Sequence, residues 1–232
     1  MAGKRLMLGL SAVLLGVHTA AAATVFYGPT PYLSEADNPF LSLPGTFYLE
    51  TFEDGLLNTP GLSAINGSVR EPSGLTDSVD GDDGVIDGSG NAGHNYFVRP
   101  GSTGVTFVFS PDPFGKLPNY AGLVATDGYG QNGAPANTVE FYGPGDELLG
   151  TLSNPYQDFN VDTTDDDRFM GIYHSEGVSK MRIFNLGTGS TTMESDHITY
   201  GVPEPSSLAL LASGGLIGLG AWLRRRVAPK TC

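Results

Sequence analysis

The sequence predicts an all-β domain, an antiparallel β-sandwich or jelly roll, between an N-terminal signal peptide and a single C-terminal transmembrane helix. Three observations favour this fold class. Aromatic and β-branched residues alternate with polar ones over short windows, a pattern typical of half-buried strands. The 33 glycines and 16 prolines provide frequent turns between these windows. Strand patterns do not alternate with helix patterns, so a doubly wound α/β fold is not favoured.

Eight short windows, rich in aromatic and β-branched residues or alternating with a period of two, are predicted to be strands. In the window 104–110, for example, Val105, Phe107 and Phe109 share one face. No repeat of fixed length is visible, which argues against a propeller or a β-helix. The predicted strands are residues 47–52, 104–110, 120–126, 138–142, 148–152, 169–173, 180–185 and 197–200.

Residues 1–23 have the three parts of a secretory signal peptide. Lys4 and Arg5 form a basic start, residues 6–17 are apolar, and the four alanines that follow Thr19 offer small residues for cleavage. The apolar run is too short to span a bilayer comfortably. We therefore expect export, with residues 24–201 forming the extracytoplasmic domain.

The expected extracytoplasmic domain is strongly acidic. Residues 24–201 contain 24 acidic and six basic residues, a formal charge of −18, in a chain whose total is −13. Because nucleic-acid binding depends on Lys and Arg that neutralise phosphates, DNA and RNA are excluded as partners. The single cysteine, Cys232, permits neither an intramolecular disulfide nor a cysteine-based zinc site.

Structural calcium is one way to stabilise an exported domain without disulfides, and Glu53, Asp54 and Asp196 are its first candidate ligands. Glu53 and Asp54 follow an early predicted strand, and Asp196 precedes the last one. The first and last strands of a jelly roll often lie close together, which would bring the carboxylates together. Residues 52–55 and 195–198 resemble the calcium sites of galactose-binding-like and carbohydrate-binding jelly rolls. The alternative is that these strand-end carboxylates face water.

A second candidate calcium site lies in the acidic segment 77–95, at Asp80, Asp82 and Asp87. Carboxylate, amide and carbonyl oxygens are the ligands that calcium prefers. The spacing of these residues does not fit an EF-hand, and the closing Glu of that motif is missing. The alternative is a solvated acidic loop.

The sequence contains no recognisable catalytic motif, and we expect the protein not to be an enzyme. It lacks a Gly-x-Ser-x-Gly nucleophile elbow, a His-Glu-x-x-His zinc helix and a phosphate-binding loop. Carbohydrate binding by a jelly roll would instead need exposed aromatic residues, although most aromatics of a sandwich belong to its core. The available aromatic residues are Tyr96, Phe97, Tyr120, Tyr129, Tyr142, Tyr156 and Tyr173.

Near its C-terminus the chain has an uncharged segment, residues 206–223, that is predicted to span a membrane. At 1.5 Å per residue a helix of 18 residues reaches about 27 Å, close to the thickness of a bilayer core. The basic residues Arg224, Arg225 and Arg226 follow it directly and are expected to stay in the cytoplasm. A short tail, residues 227–232, ends the chain.

The sequence Pro203-Glu204-Pro205, followed by a short apolar helix and an Arg cluster, resembles the PEP-CTERM sorting signal. The match covers residues 202–226, a region also labelled the ice-binding protein C-terminal domain, which does not imply ice binding. Proteins with this signal are substrates of exosortases, membrane cysteine transpeptidases of Gram-negative bacteria that make exopolysaccharide. The resemblance implies that Pro203, Glu204 and Pro205 form the recognition and processing motif. It also implies that an inner-membrane exosortase is a partner.

Together these features predict a secreted or surface protein that is anchored transiently in the inner membrane and then processed. Its expected role is that of a structural or binding component of the cell surface or the exopolysaccharide matrix, with polysaccharide as a candidate partner. One alternative is a secreted carbohydrate-active enzyme on a jelly roll. Another is a single-pass membrane protein that is never cut.

Overall fold

A computed structural model describes residues 21–33, 35–71, 73, 76, 78–79, 93–98, 103–113, 115–128, 137–155, 166–185 and 193–203. Within these residues the chain forms twelve strands and one short 3-10 helix, Glu35–Asp37. The strands are β1 (Thr24–Pro31), β2 (Gly45–Glu50), β3 (Leu62–Ile65), β4 (Ser68–Arg70), β5 (Asn95–Val98), β6 (Val105–Phe109), β7 (Tyr120–Gly128), β8 (Asn137–Tyr142), β9 (Leu148–Asn154), β10 (Arg168–His174), β11 (Lys180–Phe184) and β12 (Met193–Pro203).

The strands form two antiparallel sheets, which confirms the predicted all-β class. Sheet A has the order β1-β10-β7-β12-β5-β4, with β2 paired to the C-terminal half of β12. Sheet B has the order β3-β6-β11-β8-β9. Each of the eight predicted windows overlaps a strand, namely β2 and β6 to β12. The unpredicted strands are β1, which Gly28 and Pro29 interrupt, and β3, β4 and β5, each of only three or four residues.

The main core lies between the sheets, where the inward side chains of both meet. The burial of β6 and β11 alternates strictly, so that Val105, Phe107 and Phe109 of β6 face inward as predicted. Opposite them lie side chains of sheet A, and ring contacts such as Phe107 with Tyr96 cross the interface. Burial of these apolar and aromatic side chains is the main force that holds the sheets together.

A second cluster covers the outer face of sheet A. The segment that joins β1 to β2 crosses this face and places Phe40 over β10 and β7, where Gly122 and Gly171 leave room for aromatic rings. A Cβ atom at Gly171 would lie 2.8 Å from the Phe40 ring, which explains the glycine at that point. We call this group the outer-face cluster; its buried members are Tyr32, Phe40, Val79, Val124 and Phe169.

No helix in the described part of the chain has the length and apolar character needed to cross a membrane. The predicted transmembrane helix, residues 206–223, and residues 1–20 of the predicted signal peptide lie outside the described residues. The predicted domain boundaries remain expectations. The last strand continues to Pro203, two residues past the predicted end of the extracytoplasmic domain.

Candidate functional site

The predicted sorting motif begins inside the last strand of sheet A. Pro203 is the final residue of β12, and it lies opposite Gly45 in the ladder with β2. Val202 is paired with Thr46 in the same ladder. A proline suits this terminal position because it has no backbone N–H to donate. The first residue of the motif is therefore part of the folded sheet, and no linker separates it from the domain.

The rest of the C-terminal signal lies outside the described residues. This applies to Glu204 and Pro205 of the motif and to the predicted membrane stop at Arg224, Arg225 and Arg226. Their roles stay predictions that rest on the sequence.

The start of β1 and the end of β12 lie at the same end of sheet A. The backbone N–H of Ser175 donates to the carbonyl of Ala23 at 2.9 Å, and the N–H of Ala23 donates to the Ser175 hydroxyl at 2.9 Å. The neighbouring His174 N–H donates to the carbonyl of Asn119 at 2.8 Å, and the Asn119 N–H donates to the carbonyl of Gly201 at 3.0 Å. These hydrogen bonds connect the start of β1 to the end of β12. The predicted signal peptide and the predicted C-terminal helix thus join the body at the same end.

The first predicted calcium set is not assembled. Asp54 lies in an exposed turn, where its carboxylate accepts hydrogen bonds from the Leu56 N–H at 2.9 Å and the Asn58 side-chain amide at 2.7 Å. Glu53 accepts the backbone N–H of His94 at 2.7 Å. The described residues contain no group of three His, Cys, Asp or Glu side chains that could hold a metal ion.

Asp196 lies on the outer face of sheet A because of a bulge in β12. His197 has a φ of 46°, and the ladder with β7 shifts register between Asp196 and Thr199. The bulge leaves Ile198 in the core between the sheets, whereas the fully buried Asp196 accepts the Val79 N–H at 2.9 Å beside the outer-face cluster. This position is next to the start of the acidic segment that was predicted to be the second site. Its ligands Asp80, Asp82 and Asp87 lie outside the described residues, so calcium binding there stays a prediction.

Sequence reasoning missed two buried carboxylates that organise local structure. Glu50 is 4% exposed and accepts hydrogen bonds from the N–H groups of Phe52, Asn58 and Thr59, which fixes the turn after β2. Glu194 is bound by the Arg70 guanidinium and the Asn95 side-chain amide. These partners lie 124 and 99 residues away in the sequence. No local pattern could have identified them.

The three histidines of the domain take part in structural contacts. His197 Nδ1 lies 2.9 Å from the buried Tyr32 hydroxyl, and His174 Nδ1 lies 2.8 Å from the Thr24 hydroxyl. His94 Nδ1 lies 3.4 Å from a carboxylate oxygen of Glu53. Each ring therefore helps to join parts of the chain that are far apart in sequence.

The aromatic residues proposed as candidate platforms have different environments. Tyr96 is buried in the main core, and Tyr142 donates a hydrogen bond to Glu140 on sheet B. Tyr120 and Tyr173 lie half-buried on the outer face of sheet A, with ring centroids 4.7 Å apart. The pKa of Tyr120 is raised by burial and by two nearby tyrosines, Tyr27 and Tyr173. Phe97 lies beneath Arg70, and Tyr129 and Tyr156 are outside the described residues.

A cleft of about 460 Å³ opens beside this group, between β1 and the segment that leads to β2. The cleft was not predicted, because β1 itself was not predicted. Its lining residues are Tyr27, Gly28, Thr30, Pro31, Leu33, Asp37 and Pro39.

The comparison with protein families confirms the C-terminal resemblance. Residues 201–226 match the family model of the PEP-CTERM protein-sorting motif. No protein with a curated description matches the chain by sequence.

Two solved structures resemble the two-sheet body at a low level. One is the K3 cleaved adhesin domain of Lys-gingipain from Porphyromonas gingivalis, with 12% identity and a TM-score of 0.35 over 66% of this chain and 98% of that domain. The other is the C-terminal family 22 carbohydrate-binding module of Clostridium thermocellum Xyn10B. It has 14% identity and a TM-score of 0.25 over 65% of this chain and 92% of that module. Similarity at this level assigns neither a fold family nor a ligand.

Proposed function

We propose that this chain, which carries a PEP-CTERM protein-sorting motif at residues 201–226, delivers a non-catalytic β body to the cell surface or the exopolysaccharide matrix. The motif implies export and an exosortase as processing partner. In the proposal, residues 206–223 hold the exported body at the inner membrane until the exosortase cuts at Pro203-Glu204-Pro205. The released body then acts as a structural or binding component outside the cell.

The continuity of the motif with the folded body supports this proposal. Gly201 is still bound to Asn119, and Pro203 is still paired with β2, so the body ends where the motif begins. A fully extended chain covers at most about 3.6 Å per residue, so Gly201 and residue 206 are within about 18 Å of each other. The exosortase would therefore bind the motif directly beside the end of the body that contains Gly201.

The shared position of the two chain ends supports a single orientation at the membrane. Ala23 and Gly201 are linked through Ser175, His174 and Asn119. A signal peptide and a C-terminal anchor that leave the body at one end can lie in the same bilayer without the chain having to wrap around the body. The opposite end of the sheets then faces away from the membrane.

The mass of the exported protein tests the processing step. We expect a mature protein that starts near Thr24 and lacks Arg224 to Cys232, because the anchor is removed with the motif. The variant Pro205→Ala should retain these residues and stay in the membrane fraction, since the rigid extended backbone of the motif is lost.

The matched control is Pro111→Ala, at an exposed proline in a turn of the body. It should be cut as efficiently as the unchanged protein. Recovery of the unchanged protein with its C-terminus intact would instead show an uncut single-pass membrane protein. Release of sugars from polysaccharide by the exported protein would contradict the non-catalytic role.

A further inference from the structure

The cleft beside β1 is lined by apolar ring faces and by hydrogen-bonding side chains. We propose that it binds a neutral glycan chain, whose sugar rings lie on the faces of Tyr27, Pro31 and Pro39 and whose hydroxyls bond to Thr30 and Asp37. The proposal rests on the proposed function, since it names the ligand class of a body that is delivered to a polysaccharide matrix. The cleft volume of about 460 Å³ is within the range of small-molecule sites.

The first wall of the cleft is an irregular part of β1. The register of β1 against β10 shifts between Tyr27 and Thr30. Within this bulge Gly28 has a φ of 90°, and a Cβ atom there would lie 2.0 Å from the carbonyl oxygen of Phe169. A side chain at position 28 would push β1 away from β10. Glycine thus allows the strand to bend closely around the sheet and to direct the neighbouring Tyr27 into the cleft.

The second wall is the segment that leads to β2, and buried contacts with sheet A hold it in place. The Asn38 side-chain amide donates to the Thr199 hydroxyl at 2.7 Å, and both residues are buried. Phe40 is completely buried in the outer-face cluster. Above them Asp37 accepts the Leu33 N–H at 2.8 Å, which closes the turn around the 3-10 helix. Because both walls are held by the sheet, the cleft is formed before any ligand binds, and little ordering is needed on binding.

The cleft combines apolar ring faces with hydrogen-bonding groups at its rim. The Tyr27 ring is half-buried and is held edge-on against Phe40 at a centroid distance of 5.1 Å. Leu33 is 58% exposed at the rim. A sugar ring likewise has apolar C–H faces and a polar edge of hydroxyls. Tyrosine suits such a ligand because it provides a large apolar face together with a hydroxyl.

The charge of the cleft selects against anionic ligands. Asp37 is the only charged side chain among the described residues that line it, and the exposed Glu35 lies two residues away on the same 3-10 helix. The whole domain carries a formal charge of −18. A uronate-rich or phosphorylated chain would be repelled both locally and at longer range. A neutral glycan avoids this repulsion and can donate its hydroxyls to Asp37.

The cleft also remains accessible while the body is anchored. Thr24 of β1 pairs with His174 at the end from which the membrane segments leave, whereas Pro31 pairs with Arg168 at the other end of β10. The cleft is lined by the half of β1 that ends at Pro31. Glycan binding can therefore precede or follow release by the exosortase.

Glycan binding by the full-length protein in lipid nanodiscs tests the proposal. Hexasaccharides of cellulose, laminarin and mannan serve as neutral probes, and a hexasaccharide of polygalacturonate serves as the anionic probe. We expect at least one neutral probe to bind and the anionic probe not to bind. Tyr27→Ala should weaken the binding at least tenfold, and Tyr27→Phe should weaken it by less because the ring remains.

Tyr27 also packs on Phe40, so Tyr27→Ala could lose binding through misfolding. A second variant avoids this problem. Leu33→Ser combined with Asp37→Asn changes two exposed side chains and should weaken binding about tenfold. The control combines Leu148→Ser with Asp112→Asn on other parts of the surface and should bind normally. Binding that is unchanged in both cleft variants would overturn the cleft assignment, as would binding of none of the neutral probes. Neither result affects the proposed function, which depends on export and processing measured by mass.

Discussion

The two sheets share one core but differ on their outer faces. The outer face of sheet B carries charged side chains: Arg182 pairs with Glu140 at 3.1 Å, and the Lys180 ammonium lies 4.5 Å from the Tyr142 ring centroid. The outer face of sheet A is instead covered by the chain that joins β1 to β2, which buries the outer-face cluster beneath it. At β7 and β10 sheet A is therefore a middle layer with two buried faces. We expect it to be far less tolerant of substitution than sheet B.

The largest expected difference concerns aromatic residues on the two outer faces. Phe40→Ala should lower the free energy of unfolding by about 3–5 kcal/mol, because it leaves a cavity in the outer-face cluster. Phe184→Ala on sheet B removes a half-buried ring that contacts Arg182 at 4.4 Å and should lower it by less than about 1.5 kcal/mol. Urea unfolding of the exported protein measures both. Equal losses would contradict the distinction between the faces.

The same contrast explains how much of the fold the sequence could predict. Sheet B follows the rule of alternation: β6 and β11 have one inward and one outward face, and their windows were found directly. The burial of β10 is nearly continuous, so its window was recognised from composition and not from alternation. The cover over sheet A was not predicted. Phe40, the central residue of this cover, stands in a segment rich in turn residues, and Gly171, the glycine that leaves room for it, lies 131 residues away.

The candidate sites show the same limit. The sorting motif was predicted because its three parts are contiguous in sequence, and the family model confirms it. In the described residues Asp196 is not grouped with Glu53 and Asp54, because the bulge at His197 places the Asp196 carboxylate beside Val79 on the outer face of sheet A. A backbone bulge of this kind depends on tertiary packing and has no clear signal in the local sequence. The cleft was missed for a related reason, since its walls come from an irregular strand and a turn.

Ion pairs provide the next test of the contrast. On sheet A, Glu194 is 1% exposed and its partner Arg70 is 24% exposed. Arg70→Met would leave a buried carboxylate without its cation and should cost about 2–3 kcal/mol, less than for a fully buried pair. Arg182→Met breaks the more exposed pair on sheet B and should cost about 0–1 kcal/mol. A double substitution of Arg70→Met with Glu194→Gln should recover part of the loss. No recovery would mean that packing of the Arg70 guanidinium on the Phe97 ring dominates.

Glycines under the outer-face cluster are expected to matter somewhat less. A Cβ atom at Gly122 would lie 2.6 Å from the Phe169 ring, so Gly122→Ala forces this ring to move and should lower the free energy of unfolding by about 1–2 kcal/mol. At Gly145, in the turn between β8 and β9, the nearest atom would be the flexible end of Glu147 at 3.0 Å. Gly145→Ala should therefore change stability by less than about 0.5 kcal/mol. Thermal melting of both variants checks this difference. A lower melting temperature for Gly145→Ala than for Gly122→Ala would contradict it.

The smallest expected effect is a difference in alkaline stability between tyrosines of the two sheets. Burial, together with Tyr48 and Glu50, raises the pKa of Tyr200 above its ordinary value of 10.0. The folded state then holds the phenol proton more tightly than the unfolded state. This stabilisation is complete below pH 10 and is lost as the pH rises towards the higher folded pKa. Tyr142 on sheet B also has a raised pKa, chiefly because it donates a hydrogen bond to Glu140.

Urea unfolding between pH 7 and pH 11 separates the two tyrosines. Tyr200→Phe should lower stability at pH 7 by about 0.5–1.5 kcal/mol, since the hydroxyl donates to the carbonyl of Pro60. It should also remove part of the alkaline loss, about 1 kcal/mol at pH 11, because one pH unit corresponds to 1.36 kcal/mol for one fully coupled group. Tyr142→Phe should flatten the alkaline loss by less, since its hydroxyl is on the solvent side of sheet B. If Tyr142→Phe reduced the alkaline loss of stability more than Tyr200→Phe does, the expectation would be contradicted. Tyr142, on the solvent side of sheet B, would then contribute more to the pH dependence than Tyr200, which is buried between the sheets.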